Sequence, residues 1–257
     1  MSQISKTLLQ LVSLNAQNVQ NLGGRISGNA IALAARGDLN NIGGQINAAN
    51  ALTAVAGRDL NVTSTTSSAT NNVGNNTFSL TGFDRIAGLY VSNPGGTLLA
   101  SAGRDVNLTT AMLQSQGSIG ITAGNNINLA TVNTASANAV VFDRDNFAKD
   151  SQSQDIGSQL SAANKLALEA GNDFNAKAAT LSAGTTLSAT AGNSINLAAG
   201  QQTSSSAFGM SSSQSSLFGS TSYAQLKIVM PRRGLASIVV MPTARDDVQV
   251  NFVSGMH

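Results

Sequence analysis

The chain contains no cysteine, and its single histidine, His257, and single glutamate, Glu169, stand out among 257 residues. Without cysteine there is no disulfide, no thiolate metal site and no cysteine nucleophile. One terminal histidine cannot build a His-based catalytic triad or a histidine metal pair. We therefore predict a protein that is not an enzyme and that has no cofactor or metal.

Charge is also scarce, at 10% of residues. Residues 1–222 contain ten Lys/Arg and ten Asp/Glu, so the net charge of +2 comes from residues 223–257. This distribution provides no basic cluster for nucleic acid. No apolar run approaches the roughly 20 residues of a membrane helix, and the N-terminus lacks the cleavage pattern of a signal peptide.

The sequence does contain one short phrase in six versions: a glycine, a polar position, an apolar residue and an asparagine, as in Gly57-Arg58-Asp59-Leu60-Asn61. The aligned polar positions are Asp38, Asp59, Asp105, Asn126, Asp173 and Ser194. Their successive separations are 21, 46, 21, 47 and 21 residues. A fixed step of this size is typical of a solenoid, in which each repeat buries its apolar face only by stacking on its neighbours.

The pattern within each repeat predicts three short strands. An alternating segment such as Leu52–Ala56 precedes the phrase, a strand such as Leu60–Val62 follows it, and Gly43-Gly44-Gln45-Ile46 opens a third. Three strands in 20–21 residues predict an all-β fold, a parallel β-helix with one repeat per coil. We expect Leu52, Leu60 and Val62 to face inward, and Asn and Ser side chains to stack at the corners.

The steps of 46 and 47 residues exceed two coils by 4 and 5 residues, so each interval contains either degenerate coils or an insertion. Composition also changes towards the C-terminus, where a Ser- and Gln-rich stretch predicts flexibility. This divides the chain into repeat coils at 1–64, 97–130 and 160–200, intervals at 65–96 and 131–159, a flexible segment at 201–222 and a non-repeat tail at 223–257.

The phrases Ala56–Val62 and Ala102–Leu108 resemble the haemagglutinin repeats of filamentous haemagglutinin-type exoproteins. The stretches Gly43–Ile46 and Asp84–Val91 are similar to the same repeats. Ser151–Leu160 is similar to the start of the second haemagglutinin-repeat block in contact-dependent growth-inhibition exoproteins. The resemblance covers roughly residues 15–220.

This resemblance implies a right-handed β-helical filament, secreted through a dedicated outer-membrane partner pore and displayed at the bacterial surface. It also implies a virulence-type role, either as an adhesin that binds a target-cell receptor or as the carrier of a C-terminal toxin. Neither a secretion domain nor a toxin domain is recognisable, so we interpret the chain as an interior stalk segment. Two alternatives are a β-helical carbohydrate-active enzyme and a non-functional fragment of a truncated exoprotein gene.

The aligned polar positions also raise the question of a carboxylate site for calcium or acid–base chemistry. Because these residues recur once per repeat and Asn or Ser replaces Asp, we interpret them as structural corners. Arg36-Gly37-Asp38 spells an integrin-binding tripeptide, but it occupies the same slot of the repeat as Gly57 to Asp59.

The two long intervals are the better candidates for function, since they interrupt the period and contain five of the ten aromatic residues. Aromatic side chains outside a coil are typical of recognition surfaces. The alternative is that they pack as lids on the flank of the helix. The recognition candidates are Phe83, Tyr90, Phe142 and Phe147, and Phe78 lies in the same interval as the first two.

Overall fold

The computed structural model describes the backbone of residues 11–210, 213–216, 219–222, 226–236, 239–242 and 249–254, and the side chains of residues 11–210. Every regular element in these residues is a β-strand. They include no helix long and apolar enough to cross a membrane.

The strands follow one another at short intervals along the chain. In order they are β1 (Leu11–Ala16), β2 (Val19–Leu22), β3 (Arg25–Ala35), β4 (Leu39–Ile42), β5 (Gln45–Ala56), β6 (Leu60–Thr63), β7 (Thr65–Val73), β8 (Asn76–Arg85), β9 (Gly88–Val91), β10 (Thr97–Ala102), β11 (Val106–Thr109), β12 (Met112–Ser115), β13 (Ser118–Ala123) and β14 (Ile127–Ala130). The rest are β15 (Val132–Val141), β16 (Phe147–Ile156), β17 (Gln159–Ala162), β18 (Lys165–Ala170), β19 (Asp173–Lys177), β20 (Thr180–Ala183), β21 (Thr186–Ala191), β22 (Ser194–Ala198), β23 (Gly200–Met210), β24 (Ser213–Ser216), β25 (Gly219–Ser222), β26 (Leu226–Ala236), β27 (Val239–Pro242) and β28 (Gln249–Ser254).

Most of these strands stack in parallel as the three faces of a coil. The first face contains β9, β12, β17 and β20 together with the first halves of β3 and β5. The second contains β10, β13, β18 and β21 together with the second halves of β3 and β5. The third is the sheet β2-β4-β6-β11-β14-β19-β22, and we number the coils 1 to 7 after these strands.

The register of the stack follows the sequence repeat. Leu39 pairs with Leu60, Leu60 with Val106, Val106 with Ile127, and Ile127 with Phe174. These five side chains form one inward column and are at most 1% exposed. Leu52 and Val62 are also fully buried, as predicted. Each buried side chain of this size stabilises the fold by about 1.5–3 kcal/mol relative to an exposed position, so the apolar columns hold the coils together.

One corner of the coil, between the third face and the first face of the next coil, closes in two ways. In four coils a single residue with positive φ makes the turn: Gly23 (69°), Gly43 (62°), Thr110 (48°) and Ala178 (47°). After β6, β14 and β22 the chain instead runs outward before it returns. From coil 3 onward, the outward excursion and the short turn alternate from one coil to the next. We call the corner between the third face and the first face of the next coil the hairpin corner.

The outward excursions are antiparallel hairpins that join into a separate sheet, which we call the hairpin sheet. Its strand order is β7-β8-β15-β16-β23-β26, with every neighbouring pair antiparallel. The interval 65–96 therefore consists of the hairpin β7–β8 followed by β9, and 131–159 of the hairpin β15–β16 before β17. Neighbouring strands of a sheet have the same spacing as neighbouring coils. The two strands of a hairpin therefore lie beside two successive coils.

The C-terminal third contains more strand than its composition predicts. Gly200–Met210 forms β23 and pairs along its length with β16, where the Ser- and Gln-rich sequence predicted a flexible segment. Small polar side chains fit this strand because the hairpin sheet has no deep core. Within the tail, β27 pairs with β20 and β28 with β21, in the places of the first and second faces.

Candidate functional site

The recurring polar residues lie at the corner between the second and third faces, and each binds the coil beside it. The side-chain oxygen of one corner residue accepts the backbone N–H of its counterpart in the next coil. The donors and acceptors are Asp38 to Asn18 (2.9 Å), Asp59 to Asp38 (3.3 Å), Asp105 to Asp59 (3.3 Å), Asn126 to Asp105 (3.0 Å), Asp173 to Asn126 (3.1 Å) and Ser194 to Asp173 (3.1 Å). These bonds join each coil to the next at this corner.

Two of these carboxylates also hold an arginine of the next coil. The Arg58 Nε donates to Asp38 Oδ1 and the Arg104 Nε to Asp59 Oδ1, both at 3.0 Å. These hydrogen bonds lower the pKa of Asp38 and of Asp59 below the ordinary 3.8. The tripeptide Arg36-Gly37-Asp38 is thus bound into the corner, since its aspartate is engaged by Arg58 and its glycine is buried.

A second polar column runs up the middle of the third face. The Nδ2 of each asparagine donates to the Oδ1 of the asparagine in the preceding coil, at 2.7–2.9 Å. The column consists of Asn40, Asn61, Asn107, Asn128, Asn175 and Asn196. Sequence reasoning placed such stacks at the corners, and Asn29, Asn50 and Asn93 form one there, between the first and second faces. The third-face column lies within strands instead, where the asparagine follows the first inward apolar residue.

Hydrogen bonds from buried residues fix the base of the hairpins. The Ser158 hydroxyl, which is fully buried, accepts the N–H of Ala111 (3.0 Å) and donates to the carbonyl of Leu108 (2.9 Å). Ser64 accepts the N–H of Ala87 (3.0 Å) and donates to the Thr110 carbonyl (2.6 Å). These serines join each hairpin to a neighbouring coil.

Asp155 has a similar role between the second and third hairpins. It lies 2.7 Å from Lys177 Nζ, accepts a hydrogen bond from Asn133 and accepts the backbone N–H of Gln201 at 3.1 Å. The Lys177 hydrogen bond holds the pKa of Asp155 below its ordinary value. Sequence reasoning missed Ser64, Ser158 and Asp155 because each occurs once and belongs to no repeat.

The aromatic candidates lie in different surroundings. Phe83 is on β8 at the base of the first hairpin and is 36% exposed. Tyr90 belongs to the coil, on β9, where it is partly buried against Gly88, and this burial raises the pKa of its hydroxyl. Phe147 is partly buried on β16 beside Gly209, with Lys149 Nζ 5.3 Å from its ring centroid.

Phe142 is the most exposed of the group, at 79%, and stands at the tip of the second hairpin. The tip is shaped by Asp143, whose Oδ1 accepts the backbone N–H groups of Asp145 and Asn146 at 2.8 and 2.7 Å. The hydrogen bonds from the Asn146 side chain, together with these two backbone bonds, lower the pKa of Asp143. A turn held by its own side chains presents the Phe142 ring to solvent.

The first hairpin adds an apolar patch that was not among the predicted candidates. Val73, Phe78 and Leu80 lie on one face of the first hairpin. Val73 shares its face with its partner Asn76, and side chains alternate between the two faces along β8, so residues 78 and 80 lie on that face as well. All three are exposed, Leu80 at 60%. We call these residues the hairpin patch. Together with Phe142 they place exposed apolar groups on hairpins, away from the coil core.

Within the described residues, no group of three or more His, Asp or Glu side chains could hold a metal ion. A shallow notch of about 460 Å³ lies beside the first hairpin, lined by Gly23, Gly43, Arg25 and Gln45 from the coils and by 83–86 from β8 and its exit. The notch lies where coils 1 and 2 close the hairpin corner with glycine.

Part of the chain matches a known protein family. Residues 143–226 match the family model of the hemagglutinin repeat. No curated protein and no solved structure matches the chain. The matched stretch covers about a third of the chain and runs from the tip of the second hairpin through coils 6 and 7. This part of the chain is similar to the hemagglutinin repeat, which supports the resemblance to filamentous haemagglutinin-type exoproteins.

Proposed function

We propose that this chain is a non-enzymatic stalk segment of a large secreted exoprotein of the filamentous haemagglutinin type. The coils wind as a right-handed β-helix and give reach. The hairpin sheet gives a side surface for recognition. The full exoprotein leaves the cell through an outer-membrane partner pore, remains at the bacterial surface and serves adhesion or the contact-dependent delivery of a C-terminal toxin.

The observation that carries this proposal is that repeated and non-repeated residues have different surroundings. The repeated polar groups are engaged in bonds between coils, as with Asp105 and Asn126. Exposed aliphatic side chains occur on coil strands too, such as Leu99, but the exposed aromatic rings of the described residues, Phe78, Phe83 and Phe142, all lie on the hairpins. A polypeptide that stacks at about 4.8 Å per coil is suited to span distance, and exposed apolar side chains on its flank are suited to contact another surface.

The test uses a full-length exoprotein that carries this segment, with alanine at Phe78 and Phe142. We expect surface display to be unchanged, because neither ring belongs to the apolar columns, and attachment to target cells or killing of neighbours to fall several-fold. The matched control is Leu99→Ala, which removes an apolar side chain of intermediate exposure (48%, against 39% for Phe78 and 79% for Phe142) from the second face of the coil. This control should retain attachment and killing.

Three results would contradict the proposal. Loss of display in the Phe78 and Phe142 variants would make these rings structural. Loss of attachment or killing in an Asp105→Asn variant that is still displayed would place function in the corners. Turnover of a glycan that disappears with Asp59→Ala would favour an enzyme instead.

A further inference from the structure

The hairpin sheet ends abruptly at β7. On one side β7 pairs with β8, and among the described residues no strand lies on its other side. The sheet stops there because coils 1 and 2 close the hairpin corner with Gly23 and Gly43 and send out no hairpin. The open edge thus lies inside the stack, next to two further coils.

The edge lacks the features that usually prevent strands from pairing with other chains. Thr65–Val73 has nine residues with no charged side chain and no proline, and residues 66–73 are all exposed. Natural edge strands are usually short, charged, interrupted by proline or covered. An open, uncharged edge of this length is a template for a further strand.

The hairpin geometry shows which backbone groups point outward. Gly74 and Asn75 form the turn, with φ of 59° at Gly74, and Val73 pairs directly with Asn76. In such a two-residue hairpin the flanking pair exchanges hydrogen bonds, and bonded and non-bonded pairs then alternate along the strands. The N–H and C=O groups of Ser68, Thr70 and Asn72 therefore point away from β8.

We infer that this edge binds the same edge of a second copy of the chain, as an antiparallel β7–β7 pair about a two-fold axis. Every pair within the hairpin sheet is antiparallel, and an antiparallel pair of identical strands is self-complementary under two-fold symmetry. The register that overlaps the whole strand puts Ala69 opposite itself and Ser68 opposite Thr70.

The side chains suit this register. Ala69 would form a non-hydrogen-bonded pair, the closer type of antiparallel pair, and alanine offers the least steric obstruction there. No charges face each other, since β7 has none. The turn of the second copy would lie at the base of β7, beside the notch lined by Gly23, Gly43 and Phe83. The hairpin sheets of the two copies would then continue into one sheet.

A single engineered cysteine tests the register, because the chain has none of its own. Two cysteines facing each other in a non-hydrogen-bonded antiparallel pair lie within disulfide range. Ala69→Cys should form a disulfide-linked dimer under mild oxidation. Leu80→Cys is the matched control: it pairs with Ala69 from the inner strand β8 and should stay monomeric on a denaturing gel. Equal cross-linking of both variants, or none with Ala69→Cys, would overturn the inference.

A charge swap tests whether the partner is a second copy. In the S68K/T70K variant, positive side chains would face each other twice across the axis, and we expect self-association in sedimentation experiments to weaken by about tenfold or more. The S68E/T70E variant should behave alike, and a mixture of the two should restore the dimer. A wild-type chain that stays monomeric, or lysine and glutamate variants that associate as before, would contradict the proposal.

Discussion

At the residue scale, the corner oxygens explain why aspartate and asparagine interchange along the chain. Each must offer one oxygen to the N–H of the next coil, and a carboxylate and an amide both provide it, as Asp105 and Asn126 do. The asparagine column on the third face is stricter. Asn107 both donates to Asn61 and accepts from Asn128, so it needs an amide.

This difference predicts opposite outcomes for two substitutions two residues apart. Asp105→Asn should change the free energy of unfolding little, because its two donors, Asn125 and the N–H of Asn126, are neutral and still find an oxygen. Asn107→Asp should destabilise by about 1–3 kcal/mol, since a carboxylate cannot donate to Asn61. Denaturant unfolding of both variants at neutral pH measures the difference, and equal effects would refute the column.

The lowered pKa values of Asp38, Asp59 and Asp155 predict acid sensitivity. Each carboxyl binds its proton less readily in the folded chain than in the unfolded chain, whose ordinary pKa is 3.8. The stability they contribute is therefore present above about pH 4 and is lost as the pH falls below it.

Unfolding experiments from pH 7 to pH 3 should show this loss. The D38N/D59N variant is the control, because it keeps the oxygen acceptors and removes the two arginine ion pairs. We expect its stability to fall less between pH 4 and pH 3 than that of the wild type. An equal fall in both proteins would show that these pairs are not responsible.

At the scale of elements, the alternating closures of the hairpin corner follow from strand spacing. The hairpin sheet has one strand beside each coil from coil 3 onward, and a hairpin supplies two strands at once. Consecutive hairpins can therefore emerge only from every second coil, and the coil between them must close with a short turn, as at Thr110 and Ala178.

The coils could be predicted from the sequence and the hairpins could not, for a physical reason. Coil strands bury one face, so their apolar residues alternate, as in Leu98–Ala102. The strand β7 is exposed along nearly its whole length and carries no such pattern. The length of the interval is the one sign of a hairpin that remains in the sequence. A 46-residue step fits one coil plus an insertion of about 25 residues, but it fits two coils with a small excess equally well.

The candidate site was predictable only in part. The excess length and the aromatic content of the two intervals point to Phe83 and Phe142. Tyr90 lies in the same interval of the sequence as Phe83, but it belongs to the coil strand β9. Phe78 was present in the same interval, yet nothing in a single sequence separates a ring on an exposed face from a packed one.

The buried serines at the hairpin bases give a prediction for one element. Ser158→Ala leaves the N–H of Ala111 without its acceptor and should cost about 1–3 kcal/mol. Hydrogen exchange should become faster at 111–113 and at the base of β16. Ser161→Ala is the control, since Ser161 is exposed on the adjacent strand β17, and exchange there should be unchanged. Equal acceleration in both variants would count against this role for Ser158.

At the scale of the whole molecule, the structural repeat is two coils and one hairpin. The glycines Gly57 and Gly124 occupy equivalent positions in this larger repeat and lie 67 residues apart. The 21-residue step that dominates the sequence describes a single coil. Each larger repeat adds two coils along the coil axis and two strands to the hairpin sheet, so the sheet gains one strand for every coil.

Two deletions test this repeat most directly, with hydrogen exchange of the first and second hairpins (65–85 and 132–156) as the measurement. Both join a phrase glycine to Asn125 and keep the coil register. Removing residues 58–124 takes out two coils and one hairpin. Each of the strands β15 and β16 therefore still lies beside a coil of its own. Removing residues 104–124 takes out one coil and would place β8 and β15 at the same level.

We expect the larger deletion, of 67 residues, to preserve slow exchange in β15 and β16. The smaller deletion, of 21 residues, should make exchange fast in one of the two hairpins, while the coils stay protected in both proteins. Equal protection of the hairpins after both deletions, or greater loss after the larger one, would contradict a stack whose hairpins are matched to every second coil.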